Sequence, residues 1–454
     1  MLPDSLRDQK ICVIGLGYVG LTLAVALADA GFRVHGVEIS AEVLDALGSE
    51  QAHFSEVGLD GHLAEQLRTG RFTFGESLDD APEASVYIVT VGTPVGDDKK
   101  VRFDSMRSVV EGIGAVLKDG DLVILRSTVM VGTTRRIVKP ALDATGRQYD
   151  LAFCPERTLE GRALLELRTL PQIVGGIDAG STFRASQMFS FLTPSVVRVN
   201  DPETAEMVKL VNNTQRDYVF AFANEVAAIC DELGLSAAEV IASGNLGYAR
   251  ANLPMPGPVG GPCLEKDPYI LAQSLEGRDY QPTLAIAARE WNEGLPERAV
   301  GMVAAEYRRL ASTEPARIAI VGLAFKGRPA TDDLRGTLAI PIIRHLRSQF
   351  PSAALIGWDP VVKPAAIRSL GIEPASSLAE AFADTSILLI QSNHECFAQM
   401  DVSALSAAMT RPGLIYDLWN QHDPRTARVA AGTAYKALGA FALGPAAAAN
   451  RSEG

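Results

Sequence analysis

Along the first third of the chain, short apolar runs alternate with amphipathic stretches. Ile11 to Ile14, Leu122 to Leu125 and Leu151 to Phe153 are continuously apolar, and Val34 to Val37 and Val86 to Val91 are apolar but for His35 and Thr90, with no strict alternation. That pattern predicts strands buried on both faces, hence a parallel sheet with helices on either side. The apolar stretch Leu21 to Ala30 reads as the first covering helix, and Gly92-Thr93-Pro94 and the polar loop Gly96 to Lys100 read as turns. Beyond about residue 200 the period changes. Asp201-Pro202 supplies an N-cap followed by proline at the first helical position, and Glu203 to Leu233 keeps helical periodicity with few breakers. So long a helix suits a spine that also offers a dimer surface, although an internal position would fit the same pattern. A second alternation begins at Arg317, with strands at Ile318 to Val321, Ala354 to Trp358, Ser386 to Ile390 and Leu414 to Tyr416, and a helix at Ile340 to Phe350. The predicted fold class is α/β: two Rossmann-like doubly wound lobes joined by a long central helix and a helical middle domain. The segments are 1–200, 201–312, 313–440 and a tail, 441–454, with fraying after Gly439. The two lobes are not close repeats of each other.

Composition narrows the class. The 454 residues are 47% hydrophobic and 21% charged, the profile of a multidomain globular chain. A net charge of −12 opposes nucleic-acid binding, which rests on clustered Lys and Arg. It leaves room for a small anionic ligand held by a few placed cations and helix N-termini. The polar start, Met1 to Lys10, lacks a signal-type apolar region, and the Ala-rich end near Pro445 to Ala449 is short and broken, so neither export nor a membrane span is expected. Five scattered cysteines, Cys12, Cys154, Cys230, Cys263 and Cys396, have neither disulfide-framework nor zinc-site spacing. Reduced thiols, a cytoplasmic location and no metal follow as expectations.

Three constellations carry chemistry. Gly15-Leu16-Gly17-Tyr18-Val19-Gly20 lies between the first strand and a helix, where the glycines allow a tight turn and close approach of backbone to a pyrophosphate. Glu38, at the end of the next strand, can accept from ribose hydroxyls and would repel a 2′-phosphate, which favours NAD over NADP. The second is Val259 to Pro268, which delivers Cys263 just ahead of a helix that Asp267 would cap with Pro268 at its first turn. A thiol there, near Lys266, would have a lowered pKa. Read plainly, Cys263 is equally a buried filler and Asp267 only a cap. The third is Lys209 and Asn213, four residues apart on one helix face with Arg216 nearby, which is either a solvated face or a cation and amide sharing a site. Glu156 and Glu160, in Pro155 to Gly161, and Ser127-Thr128 lie at the carboxyl ends of predicted strands, where α/β folds bind ligands. Solvated loop carboxylates and a helix cap are the plain readings there.

Taken together, the ordered motifs resemble the UDP-glucose/GDP-mannose dehydrogenase family: GLGYVGL at 15–21, GTP at 92–94, STV at 127–129, CPERTLEG at 154–161, AEMVKLVNN at 205–213, GGPCLEKDP at 260–268, NEGLP at 292–296 and GLAFKGRPATDDLR at 322–335. The resemblance runs from about residue 10 to 440. It implies an NAD-binding lobe, a dimerising helical middle and a nucleotide-binding C-terminal lobe, with a homodimer or higher homo-oligomer as the assembly. It further implies a four-electron oxidation of a sugar C6 alcohol to the uronate. A water held by Asp267 and Lys209 takes the hydroxyl proton, Cys263 captures the aldehyde, Lys209 and Asn213 stabilise the oxyanion, and a water near Glu156 or Glu160 hydrolyses the thioester. By motif position, Thr93, Thr128 and Arg335 join Gly15, Gly17, Tyr18, Val19, Gly20 and Glu38 on the cofactor side. Gly260, Phe325, Lys326 and Arg250 fall on the substrate side, Arg250 reaching a neighbouring subunit's substrate. Three positions depart from the family pattern: Arg126 where many members have Glu, Pro262 where others carry His or Ser, and Trp419 where glucose-type members often place Arg. The run Arg250 to Pro258 looks more like the aminosugar branch, so a UDP-N-acetylhexosamine, N-acetylmannosamine foremost, is the expected substrate, with UDP-glucose or GDP-mannose as the alternative. A two-electron hydroxyacid-type dehydrogenase would have no use for Cys263, and a non-enzymatic NAD sensor none for the Lys, Asn, Cys and Asp set.

Overall fold

β1 (Lys10–Ile14) is buried along four consecutive residues, as a strand covered on both faces must be. Its neighbours are β2 (Arg33–Val37) on one side and β4 (Val86–Val89) on the other, both parallel to it. With β3 (Phe72–Gly75), β5 (Asp121–Leu125), β6 (Tyr149–Phe153), β7 (Gln172–Gly176) and β8 (Val196–Arg198) they form a sheet of order β3-β2-β1-β4-β5-β6-β7-β8, parallel except where β6 meets β7. The order reverses direction at β1/β4, so a crevice opens at the carboxyl ends of those strands. The computed structural model describes residues 9–81, 84–96 and 98–443. Met1 to Asp8, Asp97 of the 96–100 loop, and the end from Gly444, including Pro445 to Ala449, lie outside the described residues.

The chain divides into two compact units. One comprises the residues up to Thr214 with Lys266–Pro282, the other Gln215–Glu265 with the residues from Thr283 on. The chain passes between the units after Thr214, Glu265 and Pro282, and the long helix gives its first part to one unit and its remainder to the other. In the first unit, α1 (Tyr18–Asp29) buries every residue from Gly20 to Ala28 against the sheet. The long helix, α2 (Pro202–Leu233), begins in this unit, with Asp201 Oδ1 accepting from Thr204 N at 2.7 Å as the predicted cap. α3 (Asp267–Gln273) packs there too, Ile270 meeting Leu210 and Val101. In the second unit, α4 (Thr283–Glu293) precedes β9 (Arg317–Val321), β10 (Ala354–Trp358), β11 (Glu373–Pro374), β12 (Ile387–Ile390), β13 (Gly413–Asp417) and β14 (Thr433–Ala437). These six strands are parallel in the order β11-β10-β9-β12-β13-β14, so the direction again reverses at the first strand.

The predicted strands are all present, with two shortened: β12 starts at Ile387 rather than Ser386, and β4 stops at Val89 rather than Val91, because Thr90 turns its hydroxyl back to the carbonyls of Ile14 and Gly15, 2.9 and 2.7 Å away. Five strands escape the apolar-run criterion. β3, β8, β11 and β14 are short or partly exposed, and β7 ends in a Gly-Gly pair that reads as a turn. The fraying expected after Gly439 is corrected as far as Leu443. Asp231 of α2 accepts from Gly439 N at 3.1 Å and Phe441 N at 2.6 Å, and Ala440 and Leu443 are buried. Among the described residues, no helix is long and apolar enough to cross a membrane.

Gly439 has φ +73°, and a Cβ there would lie 2.5 Å from the Cβ of Ala237 and 2.9 Å from that of Ala227. Gly439→Ala therefore combines left-handed strain with overpacking, and should lower unfolding free energy by about 2–4 kcal/mol in a chemical denaturation experiment. A loss below about 0.5 kcal/mol, the range of an ordinary surface change, would show that this end of the chain is not packed as described.

Candidate active site

The glycine turn has the geometry its sequence suggests. A Cβ on Gly20 would lie 1.8 Å from Gly15 O, so the turn closes only on glycine, whereas a Cβ on Gly17 would meet nothing within 4 Å. That open side of the backbone, at the N-terminus of α1, suits the pyrophosphate of a dinucleotide. Glu38 sits beside it, bound more fully than predicted: its carboxylate accepts from Leu16 N at 2.8 Å, Ile39 N at 2.8 Å and Ser40 N at 3.0 Å. These bonds fix a negative charge at the end of β2 without using every lone pair. Tyr18 and Thr93, both placed on the cofactor side, spend their hydroxyls internally. Tyr18 donates to Glu56 and accepts from Gly161 N at 3.1 Å, and Thr93 donates to Thr128 O. Burial, with the adjacent Glu56 carboxylate, raises the Tyr18 hydroxyl well above its usual range.

Lys209, Asn213 and Asp267 come together, and the solvated-face reading of the long helix fails because Lys209 is buried. Asp267 is corrected from a cap to a buried acid. It is the first residue of α3, makes no capping bond, is 0% exposed, and accepts from Asn213 Nδ2 at 2.6 Å. Its other oxygen, Oδ1, has no partner among the described residues. Desolvation raises its pKa, and the nearby charges of Lys209 and Lys266 and the Asn213 bond only partly offset that. Lys266 donates to Thr93 O at 3.2 Å. Arg216, by contrast, is exposed.

Glu156 is buried in a fork with Arg126, whose Nη2 and Nε lie 2.6 and 3.0 Å from one carboxylate oxygen, while the other accepts from Arg157 N and Thr158 N at 2.7 and 2.8 Å. Desolvation opposes ionisation, but the Arg126 charge prevails and holds the carboxyl below its usual range. The departure at position 126 thus creates a buried ion pair. Glu160 is half-buried, on the same loop. Ser127 begins no helix, which removes the capping reading for Ser127-Thr128.

In the second unit the loop from Gly257 to Glu265 carries Cys263, which is exposed and therefore not a core filler. The other four cysteines are buried or half-buried, and burial pushes the thiols of Cys12 and Cys154 up to about 12 and that of Cys396 to about 11. The loop lies on the carboxyl edge of the second sheet. Gly261 N donates to Gly336 O at 2.8 Å, Phe325 packs on Gly261, and the Trp419 ring covers Gly257 with its Nε1 committed to Gln391 O at 2.8 Å. Gly260 lies so close to Gly336 O that a Cβ would reach 2.2 Å. Lys326 Nζ sits 5.2 Å from the Phe325 ring centroid, Arg335 forks onto Asp333 at 2.6 and 2.9 Å, and Arg250 is exposed over the Tyr248 ring.

Several polar residues around these sites went unread in the sequence. Glu56 accepts from Gly161 N and Ala163 N, and so clasps the Glu160 loop to Tyr18. Asp217, Asn224, Arg289 and Asn292 are buried together. Their one signal is polar residues where helical periodicity calls for apolar ones: Asp217 and Asn224 seven apart on α2, Arg289 and Asn292 three apart on α4. Among the described residues no group of three His, Cys, Asp or Glu side chains is placed to hold a metal.

Known proteins match this arrangement throughout. Residues 9–193 match the NAD binding domain of the UDP-glucose/GDP-mannose dehydrogenase family, 203–294 its central domain and 319–424 its UDP binding domain. A UDP-N-acetyl-D-mannosamine dehydrogenase of Methanococcus aeolicus is 32% identical over 421 residues, 91% of each chain. An NDP-N-acetyl-D-galactosaminuronic acid dehydrogenase of Ralstonia nicotianae is 33% identical over 413 residues, 88% of this chain and 94% of that one. The structure of a UDP-D-ManNAc dehydrogenase from Pyrococcus horikoshii superposes with a TM-score of 0.85 at 29% identity, covering 96% of this chain and 100% of that one. With the glycine turn and Glu38 in one lobe, and a second sheet matching the family's UDP binding domain, the chain belongs to the UDP-glucose/GDP-mannose dehydrogenase family and is an NAD-dependent nucleotide-sugar dehydrogenase.

Proposed function

We propose that the enzyme oxidises the C6 alcohol of a UDP-N-acetylhexosamine, UDP-N-acetylmannosamine first among them, to the uronate in two hydride transfers with Cys263 as nucleophile. The observation that carries the reading is the buried Asp267 carboxylate, bonded to Asn213, near Lys209, four residues along the chain from an exposed thiol. The glycine turn and Glu38 would hold NAD, which when bound would supply the hydride acceptor for each oxidation. Asp267 and Lys209 hold a water that takes the hydroxyl proton in the first step, which gives the aldehyde. The Cys263 thiolate then adds to the aldehyde carbon, and the resulting thiohemiacetal alkoxide is stabilised by Lys209 and Asn213. Loss of the second hydride leaves a thioester on Cys263, which water hydrolyses to the uronate and the free thiol. For that water Glu160 is the better base, because Arg126 and two backbone N–H groups already hold Glu156 as an anion. The aminosugar preference rests on the relatives named above and on Trp419, whose committed indole N–H leaves that position without the cation that glucose-type members use.

We further propose that the enzyme is a homodimer paired through α2. Met207, Val211, Tyr218, Phe222, Ile229 and Leu233 are all exposed, and at about 100° per residue they fall within about 80° of the helix circumference. An exposed apolar stripe of this kind marks a protein interface. Five free cysteines suit the reducing cytoplasm.

In a turnover panel of UDP-N-acetylmannosamine, UDP-N-acetylgalactosamine, UDP-glucose and GDP-mannose, an acetamido sugar should be fastest and yield two NADH per uronate. Cys263→Ser should lower uronate formation about 10³-fold or more. One NADH per product, or a serine variant at the parental rate, contradicts the thioester route, and no turnover of any acetamido sugar contradicts the substrate. In sedimentation, the native chain should have the mass of two copies and Phe222→Glu/Ile229→Glu that of one. A native monomer refutes the pairing.

A further inference from the structure

The loop that carries Cys263 leaves that thiol exposed, and four buried polar side chains hold its base. Arg289 of α4 is 1% exposed, and its guanidinium crosses the neck of the loop: Nη2 donates to Val259 O at 3.2 Å and Nη1 to Leu264 O at 3.0 Å. Gly260, Gly261, Pro262 and Cys263 lie between those two carbonyls, so one planar group ties both ends of the turn that presents the thiol. The guanidinium is itself anchored. Its Nη1 donates to Asp217 Oδ1 at 2.9 Å, and Asn292 Nδ2 donates to the same oxygen at 2.9 Å and to Asp217 O at 3.0 Å. Asn224 extends the set. Its Nδ2 reaches Asn292 Oδ1 at 3.0 Å and Gly257 O at 3.1 Å, and its Oδ1 accepts from Gly257 N at 2.8 Å.

A buried ion pair of this kind is a poor source of stability, because desolvating both charges offsets most of their attraction. What it supplies is direction: fixed donors aimed at particular carbonyls, which apolar packing cannot provide. A guanidinium is suited to this, since its rigid fork serves two acceptors at once, whereas an ammonium is a point charge on a flexible stem.

We propose that Arg289, anchored by Asp217 and Asn292, is a positioning residue for Cys263, acting on the second, thiol-dependent half of the reaction and not on the first. The inference rests on the reading of Cys263 as nucleophile. Only after the first hydride has left does the thiol add to the aldehyde carbon, so loosening the loop leaves alcohol oxidation intact and delays aldehyde capture. Aldehyde that is not captured can escape.

The test is stopped-flow NADH formation by the full-length enzyme, with saturating NAD and the fastest sugar of the panel, in the presence and absence of hydroxylamine as an aldehyde trap. In Arg289→Lys, the first NADH equivalent should form within about 3-fold of the native rate and the second should slow about 10- to 100-fold, the scale of a misplacement near 1 Å. Hydroxylamine should divert product to the oxime in the variant and not in the native enzyme. Asp217→Asn, which keeps the shape of the anchor and removes its charge, should show the same split to a smaller degree and serves if the lysine variant does not fold. Both phases slowing equally, or neither changing, overturns the positioning role. Cys263→Ser, run alongside, separates the two failures. If it still makes uronate at the parental rate, the nucleophile reading has failed. If it does not, and Arg289→Lys shows no split, the positioning inference has failed by itself.

Discussion

The site depends on keeping the Asp267 carboxylate out of water. A buried anion costs several kcal/mol unless charge and hydrogen bonds compensate it. Here Asn213 donates directly, and Lys209 and Lys266 supply positive charge nearby, yet desolvation still raises the acid's pKa. Lys209 and Asn213 come from one face of α2, and Asp267 opens α3. Satisfying the carboxylate therefore fixes which turn of the long helix α3 meets, and Leu210 and Ile270 close the same contact with apolar surface. An acid whose pKa is raised by burial and tempered by nearby cations is a form suited to taking up a proton.

The remainder of the chemistry is arranged by polar groups used for direction. Arg126 turns Glu156 into a fixed anion, Glu56 clasps the Glu160 loop, and Arg289 spans the neck of the Cys263 loop. None of these residues needs to touch a substrate to matter. Glu56 and Arg289 hold the loops of the proposed Glu160 and Cys263, Arg126 withdraws Glu156 from that chemistry, and all three are buried, so that one broken partner leaves an uncompensated charge or carbonyl.

Much of this was legible in the chain itself. Continuous apolar runs located the central strands, because a strand covered on both faces admits no polar alternation. Gly15, Gly17 and Gly20 between a strand and a helix, answered by Glu38, marked the expected cofactor turn. What local pattern misjudged, it misjudged for a physical reason. Asp267 before Pro268 has every local mark of a helix cap, but Asn213, 54 positions away, offered a stronger partner and the side chain turned inward. Edge strands such as β11 and β14 bury too little to leave an apolar run. The pairs Arg126–Glu156 and Arg289–Asp217 join positions 30 and 72 residues apart, a correspondence that no single window of sequence displays.

The pH dependence of kcat/KM reads the Asp267 carboxylate most directly, since it reports ionisations of the free enzyme. A folded-state pKa raised above the ordinary value of about 3.9 means the acid stays protonated to higher pH, and the base form, with activity, appears only as pH climbs through that raised value. The acid limb should accordingly stand above the usual carboxylate range and vanish in Asp267→Asn together with most of the rate. An acid limb in the ordinary range, or one that persists unchanged in Asp267→Asn, contradicts a proton acceptor at this position.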